Sequence, residues 1–284
     1  MAFLRPTQLD DALGVLGNGG PSGASWVVVA GATDHYPARV GRAPVEDVLD
    51  VTAIGALRGL AAVEGGWQIG ALTTWTDLVE ADLPPLFDGL CAAAFAVGGQ
   101  QIQARATVVG NVCNASPAAD GMPNLLALDA VVELASVRGA RRVPIGEFVT
   151  GNRRTARALD ELVTGLFIPE PLDGTIVRSA FEKLGSRAYL VISIAMVAAV
   201  VELGADGRIA RARVAVGACS EVAHRLAALE ADLKGMPART ATARVVRPEH
   251  LATLTPIDDV RASAGYRRDA ARTLVRRALE QVLA

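Results

Sequence analysis

The stretch that decides the fold is Ala104–Ala130, A-R-A-T-V-V-G-N-V-C-N-A-S-P-A-A-D-G-M-P-N-L-L-A-L-D-A. Its β-branched run, Thr107–Val109, predicts a short strand. The chain then turns on Gly110-Asn111, passes the small residues Asn114-Ala115-Ser116 and breaks at Pro117. Leu125, Leu126 and Leu128 follow at a spacing that suits a buried helix. Strand, glycine turn, small-residue loop and helix start is an order that exposes backbone N–H groups. Glycine admits φ > 0 and lets a ligand approach the main chain closely. Successive N–H groups in such a turn form an anion-binding nest, and a helix N-terminus adds partial positive charge. The same residues also describe an ordinary loop rich in Ala, Ser and Pro. The chemistry of this stretch alone does not separate the two readings.

On either side the pattern alternates between helix and strand. Upstream, Gly59–Val63 and Trp67–Ile69 flank Gly65-Gly66, a hairpin signal. Thr74 or Thr76 can cap a helix over Trp75–Ala81. Pro84-Pro85 ends it, and Leu86–Val97 is a second apolar helix. Downstream, Val131–Ser136 and Arg141–Pro144 pair around Arg138-Gly139, and Glu161–Pro169 is a further strand. Near the N-terminus, Thr7 or Asp10 can cap a helix through Leu16, which stops in Gly17–Pro21. That glycine cluster follows a helix, and Ser22 stands where a dinucleotide fingerprint needs its third glycine, so a Rossmann fold is rejected. Asp47–Val51 reads as a strand, and a subdomain boundary falls near Leu57.

A second glycine loop changes the reading. Trp26–Asp34, W-V-V-V-A-G-A-T-D, is again an apolar run, then Gly31, then small residues and a hydroxyl. Two such turns can hold one extended phosphate from two sides. Ala30-Gly31-Ala32-Thr33-Asp34 resembles the A-G-G-T-D loop of the FAD-binding medium subunits of molybdenum hydroxylases, the carbon monoxide dehydrogenase and xanthine dehydrogenase type. Thr107-Val108-Val109-Gly110-Asn111 resembles their T-I-G-G-N loop, and Asn114–Asp120 continues the match. Ile69–Thr74, Phe181–Arg187 and Asp258–Leu279 resemble three more shared segments, so the resemblance runs over nearly the whole chain.

The resemblance implies an α+β protein. Its two-lobed FAD-binding domain, of the PCMH/CO-dehydrogenase flavoprotein type, would occupy residues 1–172, with lobes of about 1–57 and 58–172. A small α/β C-terminal domain would span 175–284. It implies non-covalent FAD held by Ala30, Gly31, Ala32, Thr33 and Asp34 on one side. Thr107, Val109, Gly110, Asn111, Cys113 and Asn114 would hold it on the other. Asp120 would accept from cofactor hydroxyls, and Lys183 would stand near the flavin edge; its alternative reading is a strand lysine facing water. Ala32 and Val109 replace family glycines, which is tolerable where φ is negative. His35-Tyr36-Pro37 departs from the family pattern. An exposed loop role fits His35, and Tyr36 either fills the loop or stacks near the cofactor.

Composition removes other classes. The chain has 284 residues, half of them apolar, and a net charge of −2, which gives no electrostatic reason to expect nucleic acid. Its three cysteines, Cys91, Cys113 and Cys219, are far apart without a C-x-x-C, which excludes an iron–sulfur or zinc site built from this chain alone. With no export signal visible, a reducing cytoplasm is expected. The longest apolar run, Leu190–Val201, is too short to span a bilayer. The arginine pairs, Arg153-Arg154 among them, read as solvated faces or partner contacts.

The C-terminal part predicts a strand over Thr175–Lys183 and a hairpin of Leu190–Leu203 with Arg208–Val216 around Gly204–Gly207. A helix from Ser220 to Lys234 and a long helix over Tyr266–Leu283 follow. Pro237–Leu254 has no clear period. The three histidines are isolated, and no G-x-S-x-G elbow occurs. The implied function is electron transfer through FAD within a complex. A small subunit would carry [2Fe–2S] clusters and a large one the molybdenum cofactor, assembled as a dimer of heterotrimers. A self-standing flavin oxidoreductase and a flavin-free scaffold are the alternatives.

Overall fold

Three short parallel strands begin the chain: β1 (Phe3–Leu4), β2 (Val27–Val29) and β3 (Val48–Asp50). β3 lies between the other two. The helix α1 (Leu9–Asn18) buries Ala12, Leu13 and Leu16 in the core that also takes Trp26 and Leu49. Its N-cap is Gln8, with no side-chain cap bond, so neither Thr7 nor Asp10 plays that part. Asp10 instead sits with Asp11 in the first turn, where negative charge favours the helix dipole. The computed structural model describes residues 1–284 except 22–24, 42, 44 and 189. Ser22, on which the dinucleotide fingerprint fails, lies outside the described residues.

A second, antiparallel sheet follows, covered by short helices. Its elements are β4 (Leu60–Val63), β5 (Gly66–Gly70), α2 (Trp75–Glu80), α3 (Asp88–Ala96), α4 (Gln100–Gln103), α5 (Val108–Asn114) and α6 (Gly121–Ala127). Then come β6 (Val131–Ser136), β7 (Gly139–Pro144), α7 (Ile145–Phe148), β8 (Val149–Gly151), β9 (Arg154–Thr155) and β10 (Leu162–Pro169). The sheet order is β4-β5-β10-β6-β7, while β8 and β9 form a separate ribbon. Thr74 caps α2 in a full capping box: its hydroxyl accepts from Asp77 N at 3.0 Å, and its own amide donates to Asp77 Oδ2 at 2.8 Å.

The expected strand at Thr107–Val109 is instead the start of α5. Thr107 is its N-cap, and its hydroxyl accepts from Gly110 N at 2.9 Å. Val108, Val109 and Val112 are buried on this helix. Burial of those side chains and the cap together override the β preference of a Thr-Val-Val run.

The C-terminal part is a four-stranded antiparallel sheet in sequence order, β11 (Ile176–Leu184), β12 (Ala195–Leu203), β13 (Ile209–Gly217) and β14 (His224–Arg225), with helices α8 (Ala227–Leu233) and α9 (Ala264–Val282). The helix expected from Ser220 begins only at Ala227, because β14 intervenes. Ser220 Oγ donates to the Cys219 carbonyl at 2.6 Å and accepts from Thr255 N at 2.9 Å. The aperiodic stretch before α9 folds as two 3-10 turns, Thr240–Val245 and Pro248–Leu251.

Every residue of β12 is buried. Its alternate side chains enter two different cores. Met196, Ala198 and Val200 pack in the core shared by the two preceding sheets, and Ala195, Val197, Ala199, Val201 and Leu203 pack with the residues of α8 and α9. This is the period-two geometry of a strand with both faces covered. Polar contacts reinforce the junction. Arg225 Nη1 donates to Asp129 Oδ1 at 2.6 Å, and Ala218 N donates to the Pro117 carbonyl at 3.0 Å. Among the described residues no helix is long and apolar enough to cross a membrane, and no group of three or more His, Cys, Asp or Glu could hold a metal ion.

Candidate functional site

The two glycine loops touch. Gly31 follows β2, and a Cβ there would overlap the Arg105 carbonyl oxygen and lie 2.9 Å from Ala106 Cα. Only glycine permits this approach, which presses the loop Ala30–His35 against the chain leading into α5. Beside the contact a cleft of about 690 Å³ opens. Residues 25–35 form one wall. The first turn and outer face of α5, from Thr107 to Asn114, form the other, and Arg153, Arg157, Leu162 and Val163 close one side.

The two loops offer different donors. The amides of Ala32, Thr33 and Asp34 donate to no acceptor among the described residues, so this loop carries the open N–H groups. In α5 most first-turn amides are already engaged. Val108 N donates to the Thr73 carbonyl, Gly110 N to Thr107 Oγ1, and Asn111 N to the Thr107 carbonyl. Gly110 is helical rather than left-handed, and a Cβ there would meet Thr107 Oγ1 at 2.7 Å. Its smallness makes room for the cap. The left-handed positions are Ala32, with φ 57°, and Ala115, with φ 47°. The expectation of negative φ at Ala32 is therefore overturned, while Val109 lies within α5.

Charge is arranged around an arginine that the chain order hides. Arg153 sits at φ 59° in the turn between β8 and β9. Its Nη1 donates to Asp34 Oδ2 at 2.6 Å and also to Asn114 Oδ1, and its amide donates to the Ala115 carbonyl at 2.9 Å. One guanidinium thus ties the two loops together. The Arg153 hydrogen bond is the main force holding the Asp34 carboxyl below the usual aspartate range. Asp34 and Arg153 are 119 residues apart, and only their convergence on the cleft identifies the pair.

Among the other predicted residues, His35 lines the cleft and its ring meets Tyr36 edge-on at 5.1 Å. Burial, aided by Arg39, lowers the His35 pKa and keeps the imidazole neutral. Tyr36 is largely exposed and outside the wall. Cys113 lines the cleft with its side chain accessible from it, and the protein packed around the sulfur raises the thiol pKa to about 11. Asn111 Oδ1 accepts from Gly121 N at 3.3 Å, so part of its amide braces α6.

Asp120 and Lys183 lie apart from the cleft wall, at the junction with the C-terminal sheet. Lys183 Nζ donates to Asp120 Oδ2 at 2.7 Å and to the Ala96 carbonyl at 3.1 Å, and Ser193 Oγ donates to Asp120 Oδ1 at 2.6 Å. Burial raises the Asp120 pKa against the opposing pull of Lys183. Lys183 therefore does not face open water.

The residues fit a dinucleotide of FAD type. The cleft has the volume of a small-molecule site, ~300–1,000 Å³. Its rim combines the open amides, the donors a pyrophosphate requires, with positive charge from Arg39, held by Glu46, Arg153, held by Asp34, and Arg157, held by the Glu161 carbonyl. Its walls carry Val97, Ile102, Val109, Leu162 and Val163 for a flat apolar ring system. The indole N–H groups of Trp26 and Trp75, two wall residues, have no acceptor among the described residues.

The model of the family described as "FAD binding domain in molybdopterin dehydrogenase" matches residues 1–171. The chain belongs to this family. The C-terminal part, residues 179–282, matches the "CO dehydrogenase flavoprotein C-terminal domain". Among relatives of this molybdopterin-dehydrogenase FAD family, the chain is 29% identical to a xanthine dehydrogenase FAD-binding subunit of Escherichia coli O157:H7, covering 100% of this chain and 96% of that one. It is 33% identical to a nicotinate dehydrogenase FAD-subunit of Eubacterium barkeri, over 68% of this chain and 65% of that one. A solved structure of reconstituted CO dehydrogenase from Oligotropha carboxidovorans superimposes with a TM-score of 0.89 at 26% identity, covering 100% and 97%. The protein is thus an FAD-binding oxidoreductase component.

Proposed function

We propose that this chain is the electron-transfer subunit of a cytoplasmic molybdenum hydroxylase. FAD would lie between lobes 1–57 and 58–172, and residues 175–284 would form the C-terminal domain. Electrons from substrate hydroxylation on a large molybdopterin subunit would arrive through [2Fe–2S] clusters of a small subunit and leave to an external acceptor, within a dimer of heterotrimers. The observation that carries this reading is the cleft of about 690 Å³ walled by both glycine loops, together with relatives whose names denote FAD subunits of xanthine and nicotinate dehydrogenases.

Bound FAD supplies electron storage between one-electron donors and an acceptor. The protein's part is to hold it. The amides of Ala32, Thr33 and Asp34 would donate to the pyrophosphate. Thr107, Val109 and Gly110 provide the opposite wall with Asn111, Cys113 and Asn114, and Arg153 keeps the walls at a fixed separation. Asp120, outside the cleft wall and gripped by Lys183 and Ser193, would meet cofactor hydroxyls only where FAD extends beyond the cleft toward the C-terminal sheet. A cleft histidine held neutral and a cleft thiol held protonated leave no strong base or nucleophile at the wall, which supports electron transfer over self-standing substrate oxidation.

Native purification tests the reading. The assembly is expected to contain iron, molybdenum and a non-covalent flavin released by denaturation, while the chain alone hydroxylates nothing. Oxidation of an organic substrate by the metal-free chain with FAD would establish the self-standing enzyme instead, and a purified protein that takes up no flavin would establish the scaffold.

A further inference from the structure

Behind the Gly31–Arg105 contact lies a second, smaller pocket of about 310 Å³. It opens at the carboxyl ends of the three parallel strands. Arg5 follows β1, Thr52 follows β3, and Ala30 and Gly31 follow β2. In parallel sheets this edge is where ligands settle. Ala30, Gly31 and Thr107 are shared with the large cleft, so the two cavities stand back to back across the same loop contact.

The lining is strongly cationic. Arg5, Arg58 and Arg105 face a single carboxylate, Asp50. That carboxylate is already committed: its Oδ1 accepts from Thr52 N and Thr52 Oγ1, and its Oδ2 lies 3.4 Å from Arg5 Nε. Arg58 is steered by one bond, from its Nη2 to the Thr52 carbonyl at 2.9 Å. The Arg105 guanidinium makes no hydrogen bond or ion pair among the described residues. Two positive charges are left without a counter-charge in a concave site, and arginine forks match tetrahedral oxyanions.

We propose that this pocket binds a phosphate dianion, free or as the monoester of a small metabolite, at a site separate from the FAD cleft. A dianion matches the excess of two charges, and the second ionisation of a phosphate monoester, near pH ~6, makes that form dominant at neutral pH. Because Gly31 and Thr107 serve both cavities, an occupant here abuts the loops that wall the cleft.

The test is calorimetric titration of the full chain, saturated with FAD, with inorganic phosphate and with glycerol 3-phosphate at low ionic strength. One saturable site is expected. The Arg105→Gln and Arg58→Gln variants should each weaken it about tenfold. Arg138→Gln, whose arginine pairs with Asp160 away from the pocket, should leave it unchanged. Binding of both probes assigns a site for phosphate as such, and binding of glycerol 3-phosphate alone a site for the ester. The Arg105 side chain is exposed, and unchanged flavin occupancy in that variant checks that the chain stays folded. Absence of saturable binding, or equal affinity in all three variants, overturns the proposal. Binding to the isolated chain that vanishes in the native assembly also overturns it, and assigns the arginines to carboxylates of a partner protein.

Discussion

At the scale of single residues, two neighbours in the first glycine loop have opposite requirements. Gly31 has no room for a side chain, so Gly31→Ala is expected to cost about 3 kcal/mol through overpacking against Arg105 and Ala106. Thermal unfolding should show the lower midpoint, and flavin content should fall with it because the cleft wall moves. Ala32, at φ 57°, holds a conformation that suits glycine. Ala32→Gly is expected to stabilise the chain by about 1 kcal/mol, read as a rise in the unfolding midpoint with full flavin retained. Cys113 supplies a pH dependence. With a thiol pKa near 11, only roughly a thousandth is thiolate at pH 8. Alkylation by iodoacetamide should therefore be slow there, rise about tenfold per pH unit until that value, and be suppressed by FAD. Because the side chain is accessible from the cleft, fast modification at pH 8 would show that the thiol ionises well below that value.

At the scale of elements, the tie between the loops can be cut alone. Arg153 occupies a left-handed turn that glycine tolerates, so Arg153→Gly removes the guanidinium without straining the ribbon of β8 and β9. Because the ion pair with Asp34 is half exposed, stability should change by less than about 1 kcal/mol. FAD dissociation, followed by fluorescence, should nonetheless speed up several-fold. The Asp34 carboxyl sits below its ordinary value, so its contribution is complete above that value and is lost only as pH falls through the lower one. The wild-type tie should therefore persist down to about pH 4 and fail below it. The sequence made the two glycine loops legible, since their composition is local. It concealed α5, because Thr107-Val108-Val109 carries strand-like side chains whose helical state depends on a cap and on burial by distant elements. It concealed Arg153 as well: an arginine beside another arginine looks like surface until the fold brings Asp34 and Asn114 to it.

At the scale of the whole molecule, the lobes and the C-terminal sheet share structure rather than merely adjoin. The apolar run before Leu203 was readable as a buried element, but not that its even and odd positions serve different cores, because a strand buried on both faces shows no alternation. Calorimetry of the FAD-loaded chain is accordingly expected to show one cooperative transition, with flavin fluorescence appearing at the same temperature. Two separated transitions would mean that the junction at Asp129, Pro117 and β12 does not couple the parts.

The double allegiance of β12 also limits how this chain can be recombined. A chimera that takes its C-terminal half from a relative imports a strand whose even-numbered side chains must seat in the host's core, while its odd-numbered ones stay with their native helices. A crossover placed in the loop before β11 would therefore look clean on the backbone and yet leave Met196, Ala198 and Val200 as foreign plugs in an unmatched socket. Grafts should succeed only when those three positions revert to the host's residues, and a dipeptide-by-dipeptide substitution scan along the strand should report two independent alphabets, interleaved one letter at a time.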